Sequence, residues 1–228
     1  MINKKNLRIV FLGSRPISLK IYNLIKKNIV AVIKVKEKKI TKWWNTDVNN
    51  LKIEFRKLKD LSKINFDLGI SINYNKIIPQ NILRLAKIGF INVHYSYKNY
   101  YKGRNIMFFS IMNYPKQRSG FTIHWMNKKI DDGNIIISKK VKIKKNDTSE
   151  KLYFRIEKEL LFFLKRYFFK NLEHYLSIKG FKNNKSIYYK KNDINSKIQE
   201  NINSRFNRKK LIKALTFKQF NKKSLKKI

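Results

Sequence analysis

Short apolar runs alternate with helical patterns along the first three quarters of this chain. The run at residues 7–12 ends in glycine, serine, arginine and proline, which is typical of a buried strand that leads into the first turn of a helix. Apolar residues then recur at helical spacing to residue 25, and residues 29–35 form a second apolar run. This order of strand, helix and strand predicts a right-handed parallel crossover.

The alternation continues to about residue 175. Further strands are predicted at residues 66–72, 88–93, 120–126 and 135–143. Pro79 opens a predicted helix that runs to about residue 87, and another ends near Met112. Asp147 and Thr148 predict the cap of a long helix whose apolar stripe reaches residue 168. The pattern therefore predicts an α/β fold, with a Rossmann-like, open and mostly parallel sheet flanked by helices.

The pattern weakens after residue 180, where the balance of residues turns strongly basic. We expect a catalytic domain over residues 1–180 and a short basic C-terminal module over residues 181–228. Within that module, residues 186–190 read as a strand, and an amphipathic segment lies around residues 211–220.

Composition favours a packed protein over a disordered one. Apolar residues make up 43% of the 228 positions, which is enough to build a core. The absence of cysteine excludes disulfides and cysteine-based metal sites. No apolar run approaches the roughly 18 residues that a membrane span requires. The N-terminus leads directly into a strand rather than a signal peptide, so we expect a cytoplasmic protein.

The net charge of +40 has two explanations. Lysine and arginine number 54 against 14 aspartate and glutamate residues, which invites an anionic partner such as a nucleotide, RNA or a lipid headgroup. However, the lysines are spread over the whole chain, which is also crowded with asparagine and isoleucine and poor in glycine and proline. That composition is typical of an AT-rich coding sequence. Charge alone does not choose between the two explanations.

A polar cluster in the middle of the chain carries the candidate chemistry. Asn92 and His94 come at the end of a predicted strand, and Asp131 is the first carboxylate after a stretch, residues 68–130, that has none. Ligands of open α/β sheets bind at the carboxyl ends of the strands, where Gly13 also falls. An amide, an imidazole and a carboxylate together can stabilise an oxyanion and move protons, which suits acyl transfer to an amine.

Five segments, taken in order, resemble the formyltransferase family that uses 10-formyltetrahydrofolate. They are residues 67–79, 89–96, 101–104, 120–124 and 130–136. The resemblance runs from about residue 7 to residue 175. It implies a catalytic trio of Asn92, His94 and Asp131. In these roles Asn92 and a protonated His94 face the formyl oxygen, while Asp131 orients the imidazole or accepts the proton of the amine through water.

The resemblance also implies binding residues for both substrates. The folate loop corresponds to Asn75, Lys76, Ile77, Ile78 and Pro79, whose backbone would pair with the pterin edge. The phosphates of the acceptor would face Gly13, Ser14 and Arg15, and Arg104 is either an acceptor contact or a loop anchor. His124 is interpreted as a packed or supporting group. No metal is expected, and 10-formyltetrahydrofolate is the co-substrate.

The preferred acceptor is a nucleotide-linked amino sugar of the 4-amino-4,6-dideoxyhexose type. Residues 186–190, residues 211–217 and the pair Trp43 and Trp44 are similar to the sugar-nucleotide branch. The tRNA enzymes of the family carry a full further β-barrel domain, for which we expect no room here. The loop after His94 lacks the proline that is usual in the tRNA and purine enzymes, and Asn105 replaces a small residue.

Three other interpretations stay open at this point. Methionyl-tRNA formyltransferase with a truncated C-terminal domain and glycinamide ribonucleotide formyltransferase are alternatives within the family, so tRNA is a second candidate partner. A homodimer is compatible with either. The alternative of another class is a non-catalytic basic protein that binds RNA through its lysine-rich tail, in which Phe206, Phe217 and Phe220 could stack on bases.

Overall fold

Seven of the nine strands in the described part of the chain form one open sheet. The computed structural model describes residues 6–33, 46, 48–116 and 118–217. Its strands are β1 (Ile9–Gly13), β2 (Ile29–Ile33), β3 (Phe55–Arg56), β4 (Leu68–Ile72), β5 (Gly89–His94), β6 (Tyr101–Gly103), β7 (Gly120–Trp125), β8 (Ile135–Lys140) and β9 (Ile187–Tyr189). The order in the large sheet is β3-β2-β1-β4-β5-β7-β8, while β6 and β9 pair in parallel as a separate ribbon.

Within the described ranges, seven α-helices lie between and after these strands. They are α1 (Pro16–Ile25), α2 (Gln80–Leu83), α3 (Ile106–Met112), α4 (Ser149–Phe163), α5 (Leu172–Ser177), α6 (Asp193–Asn201) and α7 (Arg205–Leu215). A π-helical turn, Leu164–Phe168, separates α4 from α5. Across the described ranges, none of these helices combines the length and the apolar content needed to cross a bilayer.

The parallel strands bring their carboxyl ends to one edge of the sheet. Strands β1 and β4 are buried along their whole length, as expected of apolar strands covered on both faces. Gly13 at the end of β1 is opposite Ile72 at the end of β4, and Ile72 is opposite Val93 in β5. Strands β7 and β8 form an antiparallel hairpin, since the Trp125 N–H donates to Asn134 O at 2.9 Å and the Val141 N–H to Ser119 O at 3.0 Å. The predicted open, mostly parallel sheet is confirmed.

Aromatic packing in the core depends on a glycine in β4. The rings of Phe66 and Phe90 meet edge to face with centroids 5.8 Å apart. A Cβ atom on Gly69 would lie 1.9 Å from the Phe90 ring, so only glycine lets that ring lie against β4. Ile78 belongs to the same buried cluster and anchors the chain just before α2.

The chain divides into two compact units. The first comprises Met1–His94, Ile123–Ile137 and Leu160–Lys182, and the second comprises Tyr95–Thr122, Ser138–Glu159 and Asn183–Ile228. Within the second unit α3 packs against α7, and the ring of Phe109 stacks on that of Tyr189 with centroids 3.6 Å apart. The predicted boundary after residue 180 stays a prediction.

The structure differs from the sequence-based prediction at several element ends. The predicted helix over residues 79–87 is a single turn, because the N–H groups of Lys87 and Ile88 bond to Phe66 O and Asp67 O and return the chain to the sheet. The predicted long helix ends at Phe163, where the π turn begins. His94 is the last residue of β5 rather than the first residue beyond it.

The C-terminal prediction is met in part. Helix α7 begins and ends earlier than the amphipathic segment predicted around residues 211–220, and it buries Leu211, Ala214 and Leu215. Residues 34–35 of the predicted second strand, Trp43, Trp44 and the segment from residue 218 onward, with Phe220, lie outside the described residues.

Candidate active site

Four polar side chains meet near the carboxyl end of β5, all of them within the first unit. Asn92 and His94 are two residues apart in β5, so they project from the same face while Ile91 and Val93 are buried. His124 comes from β7, and Asp131 comes from the turn between β7 and β8. The structure therefore brings together the three residues of the predicted trio, together with His124.

The carboxylate of Asp131 lies between the other members of the cluster. Its Oδ2 is 3.5 Å from Nδ1 of His94, and its Oδ1 is 3.4 Å from Nδ2 of Asn92, which donates to it. Asp131 has a left-handed backbone (φ 51°), a conformation that aspartate tolerates better than most residues. The side chains of His94 and Asp131 are only 11% and 10% exposed, so water screens their interaction less than it would at an open surface.

His124 is the fourth member of the cluster. Its side chain is 2% exposed, with Nε2 lying 3.2 Å from Asn92 Nδ2 and 3.8 Å from Asp131 Oδ1. Its Nδ1 lies 2.8 Å from the carbonyl oxygen of Trp125. Sequence reasoning treated His124 as a packed or supporting group. Alternation along β7 indicates which positions share a face with His124, but it does not say that this face meets Asn92 and Asp131.

The neighbours of Asp131 in the turn have structural roles. The carboxylate of Asp132 lies 3.5 Å from Nζ of Lys182, and its backbone oxygen accepts a hydrogen bond from Asn127. Gly133 packs against the backbone of β7, because an added Cβ would lie 1.5 Å from Trp125 O. Among the described residues, no group of three or more His, Asp or Glu side chains is arranged to hold a metal ion.

The predicted phosphate-facing segment follows β1 at the same edge of the sheet. A Cβ on Gly13 would lie 2.8 Å from Ile72 O, so close packing against β4 requires glycine there. The Ser14 hydroxyl donates to Asn73 O at 3.2 Å, and Arg15 is the half-buried residue before α1. Gly13 and Ser14 thus have local structural roles, and phosphate binding by this segment stays a prediction.

The predicted folate loop starts at the end of β4, next to β5. Ser71 in β4 is opposite Asn92, so the chain leaving β4 runs beside the polar cluster. Ile78 is buried in the core, whereas Ile77 is 68% exposed; Asn75, Lys76 and Pro79 are exposed as well. The loop that follows β4 therefore presents an apolar side chain to solvent.

Arg104 belongs to the second unit. Its backbone N–H donates to Tyr189 O at 2.9 Å, which ties the loop after β6 to β9, and its side chain is exposed. This bond anchors the loop through the backbone. A contact between the Arg104 side chain and the acceptor stays a prediction.

A comparison with known protein families assigns most of the described chain to one family. The family described as formyl transferase matches residues 6–162, which is more than half of the chain. The matched segment contains all four residues of the cluster.

Two curated relatives share one region with the chain. The bifunctional polymyxin resistance protein ArnA of Wigglesworthia glossinidia brevipalpis is 37% identical over 116 residues, which is 50% of this chain and 17% of that protein. Methionyl-tRNA formyltransferase of Staphylococcus aureus strain JH1 is 37% identical over 90 residues, or 40% of this chain and 29% of the relative. The chain thus spans less than a third of the length of either relative.

Solved structures match almost the whole chain. A sugar N-formyltransferase from a Shewanella species superposes with a TM-score of 0.75 at 22% identity, covering 94% of this chain and 90% of the other. An N-formyltransferase from Helicobacter canadensis, solved in complex with folinic acid and dTDP-3-aminofucose, has a TM-score of 0.75 at 26% identity and covers 93% and 82%. The fold is therefore shared beyond residue 162.

Proposed function

Because this chain belongs to the formyltransferase family, we propose that it transfers a formyl group from 10-formyltetrahydrofolate to the amine of a nucleotide-linked amino sugar. The observation that carries the proposal is the position of Asp131, whose two oxygens face Asn92 and His94. A carboxylate, an amide and an imidazole in contact are the groups that acyl transfer to an amine requires.

The chemistry assigns one task to each side chain. The amine nitrogen bonds to the formyl carbon, the bond from that carbon to N10 of the folate breaks, and a proton leaves the amine while N10 gains one. Asn92 and protonated His94 donate hydrogen bonds to the formyl oxygen, on which negative charge develops. Asp131 orients the imidazole of His94 and accepts the proton of the amine through water.

The loop after β4 suits the folate. Binding sites for small molecules combine apolar surface with a few fixed polar groups. Ile77 offers an exposed apolar side chain for the flat pterin ring, and the backbone of residues 75–79 offers donors and acceptors for its polar edge. The relative from Helicobacter canadensis, which was solved with folinic acid, supports this choice of co-substrate.

The likeness to sugar N-formyltransferases supports the acceptor. The Helicobacter canadensis enzyme was solved with dTDP-3-aminofucose, and the likeness extends over 93% of this chain, well past the part that the family match covers. We retain the 4-amino-4,6-dideoxyhexose type as the predicted sugar. The identity to methionyl-tRNA formyltransferase favours tRNA as the second candidate. A net charge of +40 attracts either anionic acceptor.

A panel of acceptors tests the proposal. Release of tetrahydrofolate from 10-formyltetrahydrofolate is measured with amino-sugar nucleotides aminated at C3 or C4, with glycinamide ribonucleotide and with charged initiator tRNA. We expect turnover with an amino-sugar nucleotide. Turnover with charged tRNA and with none of the amino-sugar nucleotides would show that tRNA, rather than a sugar nucleotide, is the acceptor. Tight tRNA binding at elevated salt with no release of tetrahydrofolate would favour the RNA-binding alternative, because purely non-specific phosphate contacts weaken steeply with salt.

The remaining parts of the proposal rest on the sequence. The cytoplasmic location, the homodimer and the acceptor contacts of Gly13, Ser14, Arg15 and Arg104 stay predictions. Substitution of Arg15 by leucine tests the phosphate contact, since it should raise KM for the nucleotide sugar and leave KM for the folate unchanged.

A further inference from the structure

The hydrogen bonds around His124 fix the position of its ring proton. A carbonyl oxygen only accepts hydrogen bonds, so Nδ1 of His124 must donate to Trp125 O, 2.8 Å away. In the neutral ring Nε2 then has a lone pair and no hydrogen. That lone pair lies 3.2 Å from the side-chain nitrogen of Asn92. The tautomer of His124 therefore makes it an acceptor for the Asn92 amide.

Reversing these roles produces a clash. If His124 were an imidazolium, its Nε2–H would face the N–H bonds of Asn92. Turning the amide over would relieve that contact but would place Oδ1 of Asn92 against Oδ1 of Asp131, where Nδ2 now lies 3.4 Å from it. Two oxygens that both accept hydrogen bonds repel at this distance. A neutral His124 with its proton on Nδ1 satisfies all three groups.

The three distances also show how Asn92 divides its two N–H bonds. Nδ2 of Asn92, Nε2 of His124 and Oδ1 of Asp131 form a nearly equilateral triangle with sides of 3.2, 3.4 and 3.8 Å. Its corner at Nδ2 is much narrower than the roughly 120° between the two N–H bonds of a planar amide. Each N–H can therefore reach one of the two acceptors with only a modest bend, and the amide nitrogen is held between Nε2 of His124 and Oδ1 of Asp131.

We infer that His124 is a positioning residue: it accepts from the Asn92 amide and so holds that amide with Nδ2, rather than Oδ1, toward Asp131, in the orientation that lets Asn92 act as a hydrogen-bond donor to the formyl oxygen. This inference rests on the proposed function for its catalytic meaning. Asp131 holds the amide less strongly once it takes up the proton of the amine, because a neutral carboxyl group is a weaker acceptor than a carboxylate. His124 remains an acceptor, and so keeps Asn92 oriented while the charge on Asp131 changes.

The turn that carries Asp131 also supports His124. Gly133 lacks the Cβ atom that would lie 1.5 Å from Trp125 O and 3.2 Å from Nδ1 of His124. The carbonyl of Trp125 can therefore reach the imidazole only because residue 133 is glycine. One short turn thus provides the carboxylate and the space for the hydrogen bond that sets the histidine tautomer.

Nitrogen NMR of the wild-type protein tests the tautomer without any assay of activity. The chain has three histidines, so a protein labelled with ¹⁵N-histidine gives three ring patterns, and the His124→Gln variant identifies the one that belongs to residue 124. At neutral pH we expect a protonated Nδ1 and an unprotonated Nε2. A proton on Nε2, or on both nitrogens, would overturn the inference.

Three variants test the effect on catalysis. Glutamine can place an amide oxygen near the position of Nε2, so His124→Gln should keep kcat within about fivefold of wild type. Asparagine reaches only the position of Nδ1, and leucine has no polar atom. His124→Asn and His124→Leu should therefore lower kcat about 10- to 100-fold, with both KM values within about twofold. A wild-type kcat in His124→Leu would show that His124 only packs.

The two tests separate this inference from the proposed function. Suppose that the wild-type protein formylates none of the acceptors but His124 shows the Nδ1–H tautomer. The proposed function would then be wrong, while the hydrogen-bond assignment would be supported. An active protein in which His124 carries its proton on Nε2 would support the function and refute the positioning role.

Discussion

Arg155 holds both oxygens of the Asp147 carboxylate, each 2.6 Å from a guanidinium nitrogen. Asp147 is 3% exposed, and its Oδ2 also accepts a hydrogen bond from the backbone N–H of Lys144 at 2.8 Å. The next residue, Thr148, caps α4 by accepting from the Lys151 N–H. The ion pair therefore fixes the start of α4 within the second unit.

This pair predicts a stability that depends on pH. Burial by itself would raise the pKa of Asp147, but the hydrogen bonds from Arg155 and from the Lys144 N–H bring the pKa below its usual value. The unfolded chain then binds the proton first, so the stabilisation is complete above the ordinary aspartate pKa of about 4 and is lost as pH falls through the folded value.

We expect Asp147→Asn to lower the free energy of unfolding most at pH 6, with the difference from wild type shrinking below about pH 4. Urea unfolding between pH 3 and pH 6 measures the difference. Asp132→Asn is the control, because the ion pair of Asp132 with Lys182 is half exposed on the lysine side and contributes little. If the difference in unfolding free energy between the variant and wild type does not shrink at low pH, the charge of Asp147 does not stabilise the fold.

The proposed catalysis predicts opposite results for two adjacent carboxylates. Asp131→Asn should lower kcat about 100- to 10,000-fold, because an amide does not accept the proton of the amine. Asp132→Asn should retain kcat within about twofold, since its side chain faces Lys182 rather than the cluster. The measurement is tetrahydrofolate release at saturating substrates, with thermal unfolding to confirm that both variants fold. Equal losses in the two variants would argue against a specific role for Asp131.

The glycine of this turn links stability to catalysis. Gly133→Ala must displace the Trp125 carbonyl, and we expect it to cost about 1–3 kcal/mol of unfolding free energy. It should also lower kcat through the same hydrogen bond that His124→Leu removes. The double variant should therefore be no slower than the worse single variant, because both changes act on one interaction. Fully multiplicative losses in kcat would mean that Gly133 and His124 act independently.

The sequence predicted the sheet well because its signal is local. Strands β1 and β4 are buried throughout and mostly apolar, and such short runs are typical of buried parallel strands. Strand β9 was predicted within residues 186–190, but β6 and its pairing with β9 were not, since the partners are more than eighty positions apart. Strand β6 has three residues, which is too short to show a period, and pairing over that separation leaves no mark in the sequence.

The convergence of Asn92, His94 and Asp131 could be predicted because motif order and strand ends place all three at one edge of the sheet. Their catalytic roles stay predictions. The contacts of His124 were not predicted, because one of them is with the Trp125 carbonyl, a backbone group that residue types do not reveal. The exposure of Ile77 beside a buried Ile78 was likewise unpredicted, since two adjacent isoleucines carry no information about which of them faces the core.

That exposure gives the last prediction, which concerns the folate. Ile77 is 68% exposed, so Ile77→Ser removes little buried surface and should change the free energy of unfolding by less than about 0.5 kcal/mol. If its side chain covers the pterin ring, KM for 10-formyltetrahydrofolate should rise about tenfold, since a buried isoleucine contributes about 1.5–3 kcal/mol. Val30→Ser is the matched control. Val30 is an exposed apolar residue in the first half of β2, and it is the other end of that strand, the carboxyl end, that points toward the edge of the sheet with the site. The control should leave KM unchanged. If KM for the folate is the same in both variants, the folate does not bind at the loop after β4. If KM rises only in Ile77→Ser and kcat is unchanged, Ile77 makes a binding contact that acts equally on the ground state and the transition state.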